Sequence, residues 1–332
     1  MFTRPAELSD QDVLDTLTIG WELSVDEASY VAVGFGSHHW LTSSEGRKWF
    51  VTVDDLDARL LTSHDTRARA ADSLTAALTT ARNLRDAGLE FVVAPERTAT
   101  GGILHRLDKG AGRFAAALYP FVDGVTYEWG AFENEEERHS VLERLIDLHR
   151  IDVAVVGACA VDDFAIPRRR ELERSLSATN QAPATGPFTE RACRLLADNA
   201  DCLRQLLTTY DELVLAIARR PGRFVVTHGE PHRANTIVTA AGVVLIDWDT
   251  VLIAPPERDL ATAIGRDEEL AAEYTARTGL SLDPDAFALY RSRWTLSEIA
   301  LFAYQLGQPH ADTEDNRVAL RELEQYLSSA AR

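Results

Sequence analysis

With 332 residues and 45% hydrophobic content, the chain is too long for one small core and suits about two lobes. Its formal net charge of −18 disfavours nucleic acid as a partner and fits either a cationic small-molecule ligand or solubility alone. The lack of a long apolar run, of a signal-peptide pattern and of a disulfide or zinc motif among three cysteines predicts a cytoplasmic protein that does not enter membranes.

The first part of the chain predicts a small antiparallel sheet with two helices. Apolar residues at helical spacing follow the N-cap candidate Ser9, and a second helix, rich in alanine and leucine, ends before Gly88. Runs of β-branched and aromatic residues separated by turn residues are typical of hairpin strands. The predicted elements are helices over 7–18 and 68–87 and strands within 28–53, over 102–107 and over 114–119.

Residues 120–124 interrupt the strand pattern with a proline and a glycine, and nearly everything afterwards has helical periodicity. The sequence therefore predicts an α+β protein in three parts: a small antiparallel-sheet lobe over 1–119, a hinge over 120–124, and a larger, mainly helical lobe over 125–332. Helices are predicted over 135–150, 189–218, 259–278, 284–306 and 313–330, and a surface loop over 177–187.

Three oxygen-bearing side chains follow in an ordered set. Glu230 and Asn235 lie in the segment 227–235, which Pro231 prevents from forming a regular helix. Asp247 follows an apolar run that predicts a buried strand. Phosphoryl transfer requires an acceptor that orients the attacking hydroxyl and two hard oxygen ligands for the Mg²⁺ on a triphosphate. The set therefore predicts such a site.

Two zinc interpretations of the same segment fail. The order His228-x-Glu230 opens a zinc-deaminase signature, but every cysteine precedes Glu230 and no Pro-Cys-x-x-Cys follows. The spacing of His228 and His232 is not that of His-Glu-x-x-His, and Pro231 prevents the helix that such a zinc site requires.

The loop His228-Gly229-Glu230-Pro231-His232-Arg233-Ala234-Asn235 resembles the signature His-Gly-Asp-x-His-x-x-Asn of the aminoglycoside phosphotransferase family. Ile246-Asp247-Trp248 is similar to the metal strand of that family, and residues 254–260 are similar to its Pro-x-x-x-Asp-Leu segment. The Asp-Trp-Asp and Pro-Glu-Arg-Asp-Leu details look most like the spectinomycin-phosphotransferase branch. The resemblance implies a bilobal, protein-kinase-like fold.

The resemblance also implies roles for individual residues. Glu230 would orient or deprotonate an acceptor hydroxyl, Asn235 and Asp247 would bind Mg²⁺, and His228 would be a packing and hydrogen-bonding strut. ATP or GTP would be the phosphoryl donor. The implied nucleotide-binding residues are Gly34, Gly36 and Ser37 at the phosphates, Thr52 on the central strand, and Tyr119, Phe121 and Val122 at the purine. The implied acceptor-binding residues are His232, Asp249, Glu257, Trp294 and Glu298.

Two positions depart from the family pattern. Glu230 replaces the usual aspartate, which moves the carboxylate by roughly an ångström, and a shift of that size can alter rate strongly. Thr52 stands where the family carries a phosphate-pairing lysine, and the helix over 68–87 has no well-placed glutamate to pair with one. Lys48 is about 13 Å from Thr52 along the strand, too far to substitute. The candidate replacements are Arg67, Arg69, and the backbone amides of 34–37 with His38.

These observations predict a small-molecule O-phosphotransferase whose acceptor is a hydroxylated, amine-bearing antibiotic, first of all a spectinomycin-like aminocyclitol. Another aminoglycoside, a nucleoside antibiotic, a sugar or a choline-like alcohol are the further acceptor candidates. The competing hypothesis is a degenerate kinase fold that binds a ligand or partner without transferring phosphate. Retention of both metal ligands argues against that hypothesis. The donor purine and the oligomeric state stay open.

Overall fold

The first part of the chain forms one five-stranded antiparallel sheet. The structure, a computed structural model, describes residues 1–107, 109–177, 185–220 and 224–330. The sheet contains β1 (Glu27–Val31), β2 (Ser37–Ser44), β3 (Arg47–Asp55), β4 (His105–Arg106) and β5 (Phe114–Pro120). Its strand order is β1-β2-β3-β5-β4. The strand predicted over 102–107 is reduced to two residues, because Gly101 adopts a left-handed φ of 83° and Thr98 hydrogen-bonds across the turn to Gly102.

One face of this sheet packs against the helix α1 (Asp10–Trp21). Side chains alternate along a strand, so Trp40, Val51 and Val53 share this face. They form a core with Leu17 of α1. The helix begins at the predicted N-cap, Ser9, whose hydroxyl accepts a hydrogen bond from the third residue of the helix in a capping box.

The opposite face is covered only in part, by α2 (Arg67–Asp86). Leu74 and Leu78 of α2 pack against Ala117 of β5. Thr52 lies directly opposite Ala117 in the register of β3 and β5, so its side chain is on this face as well. The predicted helix is confirmed, and Gly88 follows it with a φ of 98°.

The chain leaves the sheet at Pro120 and enters a second, three-stranded sheet after residues 121–124. This sheet contains β6 (Val125–Thr126), β8 (Thr236–Thr239) and β9 (Gly242–Leu245). At Gly124 a Cβ atom would lie only 2.5 Å from Ile237 and 2.6 Å from the carbonyl of Val238. Glycine is therefore required where the connecting segment meets β8.

The remainder of the chain is mainly helical, which confirms the predicted α+β architecture. The predicted helix over 189–218 is divided at Asn199, and the one over 259–278 is divided near Gly265, which has a φ of 62°. The predicted surface loop lies largely outside the described residues, which omit 178–184. The elements are α3 (Glu135–His149), α4 (Arg169–Ser177), α5 (Thr189–Asp198), α6 (Ala200–Ala218), β7 (Val225–Thr227), β10 (Leu252–Ala254), α7 (Glu257–Ala263), α8 (Glu268–Thr278), α9 (Pro284–Gly307) and α10 (Glu314–Ala330).

Two apolar cores hold these helices. The first joins α3, α7 and α8 to Trp248 and Leu245 beneath the second sheet. The second surrounds α9, which is contacted by α4, α5, α6 and α10. Within the described part of the chain, no helix combines the length and apolarity needed to cross a bilayer.

Candidate active site

The candidate site is built from two loops at the same end of a strand pair. β7 pairs antiparallel with β10, so the loop after β7 and the loop before β10 lie at the same end of the pair. The first loop carries Glu230 and ends in a 3-10 turn over Arg233–Asn235. The second carries Asp247 and Asp249. The strand pairing thus brings together residues that are separated in sequence by the whole β8–β9 hairpin.

Asp259 fixes the backbone of the first loop. Its carboxylate accepts hydrogen bonds from the backbone N–H groups of His228 (2.8 Å) and Gly229 (2.6 Å). His149 places its Nε2 3.0 Å from the same carboxylate and its Nδ1 2.8 Å from the hydroxyl of Tyr274. Burial opposes ionisation of Asp259, but the hydrogen bond and charge of His149, together with the charges of Arg258 and His228, outweigh it, so the pKa of this carboxyl is below its usual value. His149 was not identified from the sequence, where its only signal is a histidine ending an apolar helix face.

His228 is the strut that the sequence predicts. It is fully buried, its Nε2 lies 2.9 Å from the carbonyl of Ile246, and its Nδ1 accepts a hydrogen bond from the backbone N–H of Glu230 at 3.2 Å. Its ring contacts Trp248 edge to face at 4.5 Å. Burial lowers its pKa, which keeps the imidazole neutral. His228 thus links the two loops by hydrogen bonds that need no charge.

Replacing Gly229 by alanine is expected to destabilise the protein by roughly 1–3 kcal/mol, because alanine is strained at a left-handed φ. The φ of Gly229 is 103°, and a Cβ atom on this residue would lie 2.4 Å from the Arg258 guanidinium. That guanidinium donates to the Thr227 hydroxyl at 2.8 Å and to the Thr250 carbonyl at 2.7 Å, so it cannot move without losing both bonds. Urea denaturation measures the loss.

The matched control for this prediction is Gly46→Ala, at a turn glycine with a φ of 79° and open space around it. It incurs the conformational strain alone. An equal loss of unfolding free energy in the two variants would show that the Arg258 contact contributes nothing.

Asn235 and Asp247 lie next to each other at the end of the β8–β9 hairpin. The backbone N–H of Ile246 donates to the carbonyl of Asn235 at 3.0 Å, which places the residue after Ile246 beside that asparagine. The Asn235 amide nitrogen donates to the carbonyl of Glu230 at 3.0 Å. Its other terminal atom is a carbonyl oxygen, a hard ligand of the kind that Mg²⁺ prefers.

Asp247 is exposed to the cleft but lies in a crowded electrostatic environment. Desolvation by the surrounding atoms, followed by the negative charges of Asp249 and Glu230, raises its pKa well above the usual value. Its φ of 64° is a left-handed conformation that costs free energy for a residue other than glycine. Two crowded carboxylates beside an amide oxygen are a donor set that fits a divalent cation, since the cation would offset the repulsion that raises this pKa.

The sequence-predicted phosphate loop lies at the opposite side of this cluster. Gly34 and Gly36 have φ of 65° and 87° in the connection between β1 and β2. The hydroxyl of Ser37 donates to Asp54 at 2.7 Å. Ser37 and Asp54 are directly paired across β2 and β3, so they share the face that carries Thr52. This face and the Asp247 loop border one cleft, because Arg59 pairs with Asp54 on the sheet and with Asp249 beside Asp247.

Tyr119 occupies the cleft end of β5. Burial, and then the negative charges of Asp54, Asp247 and Asp249, raise the pKa of its phenol well above the usual value. Phe121 and Val122 follow in the connecting segment, and the Lys48 ammonium lies 5.3 Å from the ring of Phe121. Lys48 therefore lies beside the connecting segment, at the end of β3 away from Asp54. 

His232, Trp294 and Glu298 are brought together on the helical side of Glu230. His232 lies with its Nε2 3.7 Å from the Glu230 carboxylate, and its buried Nδ1 has no hydrogen-bond partner among the described residues. Trp294 stacks on Trp129 at 5.7 Å with an angle of 11° between the rings, and Trp129 meets His232 edge to face at 4.2 Å. Trp129 was missed in the sequence, although it stands in a loop of polar residues and is 52% exposed.

Glu298 adds a carboxyl to the group formed by His232, Trp129 and Trp294, and these four residues make up the aromatic pocket. Burial, and then the negative charges of Glu230 and Glu322, raise its pKa to about 8. The neighbouring hydroxyl of Tyr326 accepts a hydrogen bond from the Trp294 indole N–H at 3.0 Å. The pocket therefore combines stacked aromatic rings with acidic groups, which suits a cationic ligand.

Two residues of the predicted acceptor set lie elsewhere. Glu257 has no exposed surface and accepts a hydrogen bond from the backbone N–H of Asp283 at 2.6 Å. A side chain without exposed surface cannot contact an acceptor that arrives from solvent, so the interpretation of Glu257 as acceptor-binding is wrong. Asp249 pairs with Arg59, which comes from the turn after β3, and it therefore belongs to the cleft between sheet and helices rather than to the aromatic pocket.

Three of the candidate replacements for the missing lysine, the side chains of Arg67, Arg69 and His38, are not supported either. Arg67 makes a two-point ion pair with Asp57, at 2.6 and 2.7 Å, and Arg69 is largely exposed beside Asp65 at 3.7 Å. His38 points to the α1 face, because the residue opposite Thr52 on β2 is His39. A shift of one residue along a strand moves a side chain to the other face, which is why the sequence did not distinguish the two histidines.

Sequence comparison relates this chain to one enzyme family. Residues 41–293, more than half of the chain, match the model of the phosphotransferase enzyme family, APH. Protein StrN of Streptomyces griseus is 28% identical over 254 residues, which cover 74% of each chain.

Two solved structures share the fold over nearly the whole length. A spectinomycin phosphotransferase, APH(9)-Ia, in complex with ADP and spectinomycin is 17% identical, with a TM-score of 0.70 over 98% of both chains. A microcompartment-associated aminopropanol kinase is 15% identical, with a TM-score of 0.64 over 97% of this chain and 96% of the other. The kinase-like fold is confirmed, and the chain belongs to the phosphotransferase enzyme family.

Proposed function

We propose that this protein transfers the γ-phosphoryl group of ATP or GTP to a hydroxyl of an amine-bearing antibiotic, with a spectinomycin-like aminocyclitol as the first candidate. The observation that carries the proposal is the convergence of Glu230, Asn235 and Asp247. Asn235 donates to the carbonyl of Glu230 and accepts from Ile246, and the charge of Glu230 raises the pKa of Asp247. The three residues therefore border one small region in the cleft.

Glu230 is the group that meets the acceptor hydroxyl. Its side chain is about one third exposed, at 34%, while its backbone is fixed by His228. The hydroxyl oxygen forms the new bond to the γ-phosphorus, the bond from that phosphorus to the β–γ bridging oxygen breaks, and ADP or GDP leaves. The hydroxyl proton passes to the Glu230 carboxylate. Most of the rate enhancement comes from holding these atoms in line, because phosphoryl transfer needs little covalent help from the protein.

Asn235 and Asp247 would hold Mg²⁺, with Asp249 close enough to join them. The metal supplies positive charge that neutralises the β- and γ-phosphate oxygens and the developing charge on the leaving group. Asn235, which is buried, and Asp247, which is exposed to the cleft, contribute the hard oxygen donors.

The acceptor would lie in the aromatic pocket. Trp129 and Trp294 offer stacked ring faces, and Glu298 faces the same space as Glu230. The named acceptors of the two structural neighbours, spectinomycin and an aminopropanol, both carry amines and hydroxyls. Amine recognition by this pocket places an acceptor hydroxyl within reach of Glu230.

The affinity for an amine-bearing acceptor is expected to rise as the pH increases through about 8, the pKa to which Glu298 is raised. Below that pH Glu298 is protonated and attracts a cationic amine weakly; above it, the carboxylate is charged. The KM of the acceptor should therefore fall towards alkaline pH while the acceptor amine stays protonated. The Glu298→Gln variant should lose this pH dependence, and identical pH profiles in both proteins would contradict the assignment.

The direct test of the proposed function uses purified protein with ATP or GTP, Mg²⁺ and a panel of acceptors. The panel contains spectinomycin, other aminoglycosides, nucleoside antibiotics and choline-like amino alcohols. Mass spectrometry should show the gain of one phosphoryl group on at least one of them, and no gain with Glu230→Gln. Nucleotide binding that depends on Mg²⁺ without transfer to any acceptor would support the non-catalytic alternative, and no nucleotide binding would refute both.

A further inference from the structure

At the position of Thr52 the strands of the sheet offer no cation, although a bound triphosphate requires one there. Thr52 stands where the family resemblance places a lysine, and its neighbours on the adjacent strands are His39 and Ala117. Burial lowers the pKa of His39 to about 4, so this imidazole is neutral at physiological pH. The next residue of β3 on the same face is an acid, Asp54, which is 2% exposed. An unpaired triphosphate beside a buried carboxylate would be strongly repelled.

Arg59 supplies a positive charge to this place from a different element. Its Nε donates to Asp54 at 2.8 Å, and its terminal nitrogen pairs with Asp249 on the other side of the cleft. Asp54 also accepts a hydrogen bond from Ser37, the first residue of β2 after the glycine-containing connection. The guanidinium is therefore positioned between the expected phosphate loop and the expected metal-binding loop.

The turn that carries Arg59 is firmly anchored. Leu56 is fully buried against α2, and its backbone N–H donates to the backbone carbonyl of Arg113 at 2.9 Å. The backbone N–H groups of Ala58 and Arg59 both point to the carbonyl of Asp55, at 3.0 and 3.3 Å. These contacts bring the chain back towards the cleft directly after β3. A side chain on such a turn is pre-organised for binding.

Two other arginines near this turn are engaged elsewhere: Arg67 binds Asp57, and Arg113 binds Asp55 on the α1 face of β3. Lys48 lies at the other end of β3, beside the ring of Phe121. Within the part of the chain that is described, these ion pairs single out Arg59 as the guanidinium shared by the sheet and the metal-binding loop.

We propose that Arg59 is the nucleotide-phosphate-binding cation of this enzyme and that Asp54 orients it, in place of a strand lysine and a helix glutamate. The inference rests on the proposed function. In the nucleotide-free protein the guanidinium is shared by Asp54 and Asp249. With nucleotide bound, Asp54 keeps its hydrogen bond and the remaining N–H groups donate to α- or β-phosphate oxygens, because a guanidinium offers five donors in a fixed plane.

The test compares the binding of ATP and adenosine to wild-type protein and to Arg59→Gln, by calorimetry without any acceptor. ATP affinity is expected to fall about 10- to 100-fold, as for the loss of one or two charge-assisted hydrogen bonds. Adenosine affinity should be unchanged, because adenosine has no phosphate. Arg59→Lys should keep part of the ATP affinity, since it retains the charge but not the planar donor set. Arg67→Gln is the matched control and should bind both ligands as wild type does.

The ratio of ATP to adenosine affinity decides the matter. An unchanged ratio in Arg59→Gln, whether both affinities fall together or neither does, would overturn the proposal and leave Arg59 a structural bridge. If Arg59→Gln does not fold, the same ratio in Arg59→Lys decides, with a several-fold decrease expected. If the wild-type protein binds GTP but not ATP, the same ratio is measured with GTP and guanosine. Wild-type protein that binds neither nucleotide would refute the proposed function itself, which separates the two failures.

Discussion

Replacing Asp247 by asparagine is expected to reduce phosphoryl transfer by roughly 10²–10³-fold or more, the usual effect of losing one electrostatic contact to the transition state. Asparagine is chosen because it keeps the shape of the side chain and tolerates the left-handed φ of 64°. The stabilisation by nucleotide that depends on Mg²⁺ should disappear as well, because the metal loses a charged ligand. Steady-state kinetics and thermal unfolding with and without Mg-ATP measure the two effects.

The same substitution should make the ligand-free protein more stable at pH 7. The pKa of Asp247 is raised in the folded state by desolvation, then by Asp249 and Glu230. The gain in stability should be small, because Asp247 is an exposed residue and solvent screens its charge. An acid with a raised pKa weakens folding at every pH above its unfolded pKa, so removing the charge removes that cost. Asp147→Ala, at an exposed position of α3, is the control and should change neither stability nor transfer. An Asp247→Asn protein with normal transfer and normal Mg-ATP stabilisation would refute the metal assignment.

Replacing Glu230 by glutamine is expected to lower kcat by about 10²–10⁴-fold, the range for a general base in proton transfer. The KM values should change little, because the amide still fits the space and the metal ligands are intact. Glu230→Asp, which restores the family residue, should also be impaired, by up to about 10²-fold, because the loop is fixed for the longer side chain. His228 and Asp259 hold the loop backbone and prevent it from following a shorter carboxylate.

The two variants separate proton transfer from placement. Glutamine removes the base at nearly the same position, whereas aspartate keeps the base and withdraws it. If Glu230→Asp were as active as wild type, the loop would have to be adaptable, and the rigid geometry described for it would be wrong. Unchanged nucleotide affinity in both variants, measured without acceptor, is the control that the cleft is intact.

The local features of the fold were readable from the sequence because they depend on neighbours in the chain. Ser9 begins α1 through a capping box, and Gly88 follows α2, as propensity and capping predict. The convergence of Glu230, Asn235 and Asp247 was anticipated from their spacing around one hairpin. The division of the predicted helix at Asn199 was not, since both halves have the same apolar periodicity.

The features that escaped the sequence are contacts between distant segments. Arg59 and Asp249 are 190 positions apart, and nothing near either residue indicates the other. Trp129 reaches the pocket from a loop whose conformation has no local signal. Glu257 shows the opposite difficulty: a charged residue next to a motif was expected at the surface, but tertiary packing buries it completely. Contacts between side chains across the cleft therefore could not be predicted from the sequence.

The short pairing between β6 and β8 has a consequence for how acceptor range can diverge among relatives. Thr126 pairs with Ile237, so the loop that carries Trp129 starts from the same small sheet whose strand β8 begins directly after Asn235. Beyond this pairing the loop is irregular and exposed until α3 begins at Glu135. Insertions or exchanges in that loop can reshape one wall of the pocket without moving the residues of phosphoryl transfer, because loops tolerate change better than the strands that anchor them. New acceptors can thus be acquired while the chemical step is inherited unchanged.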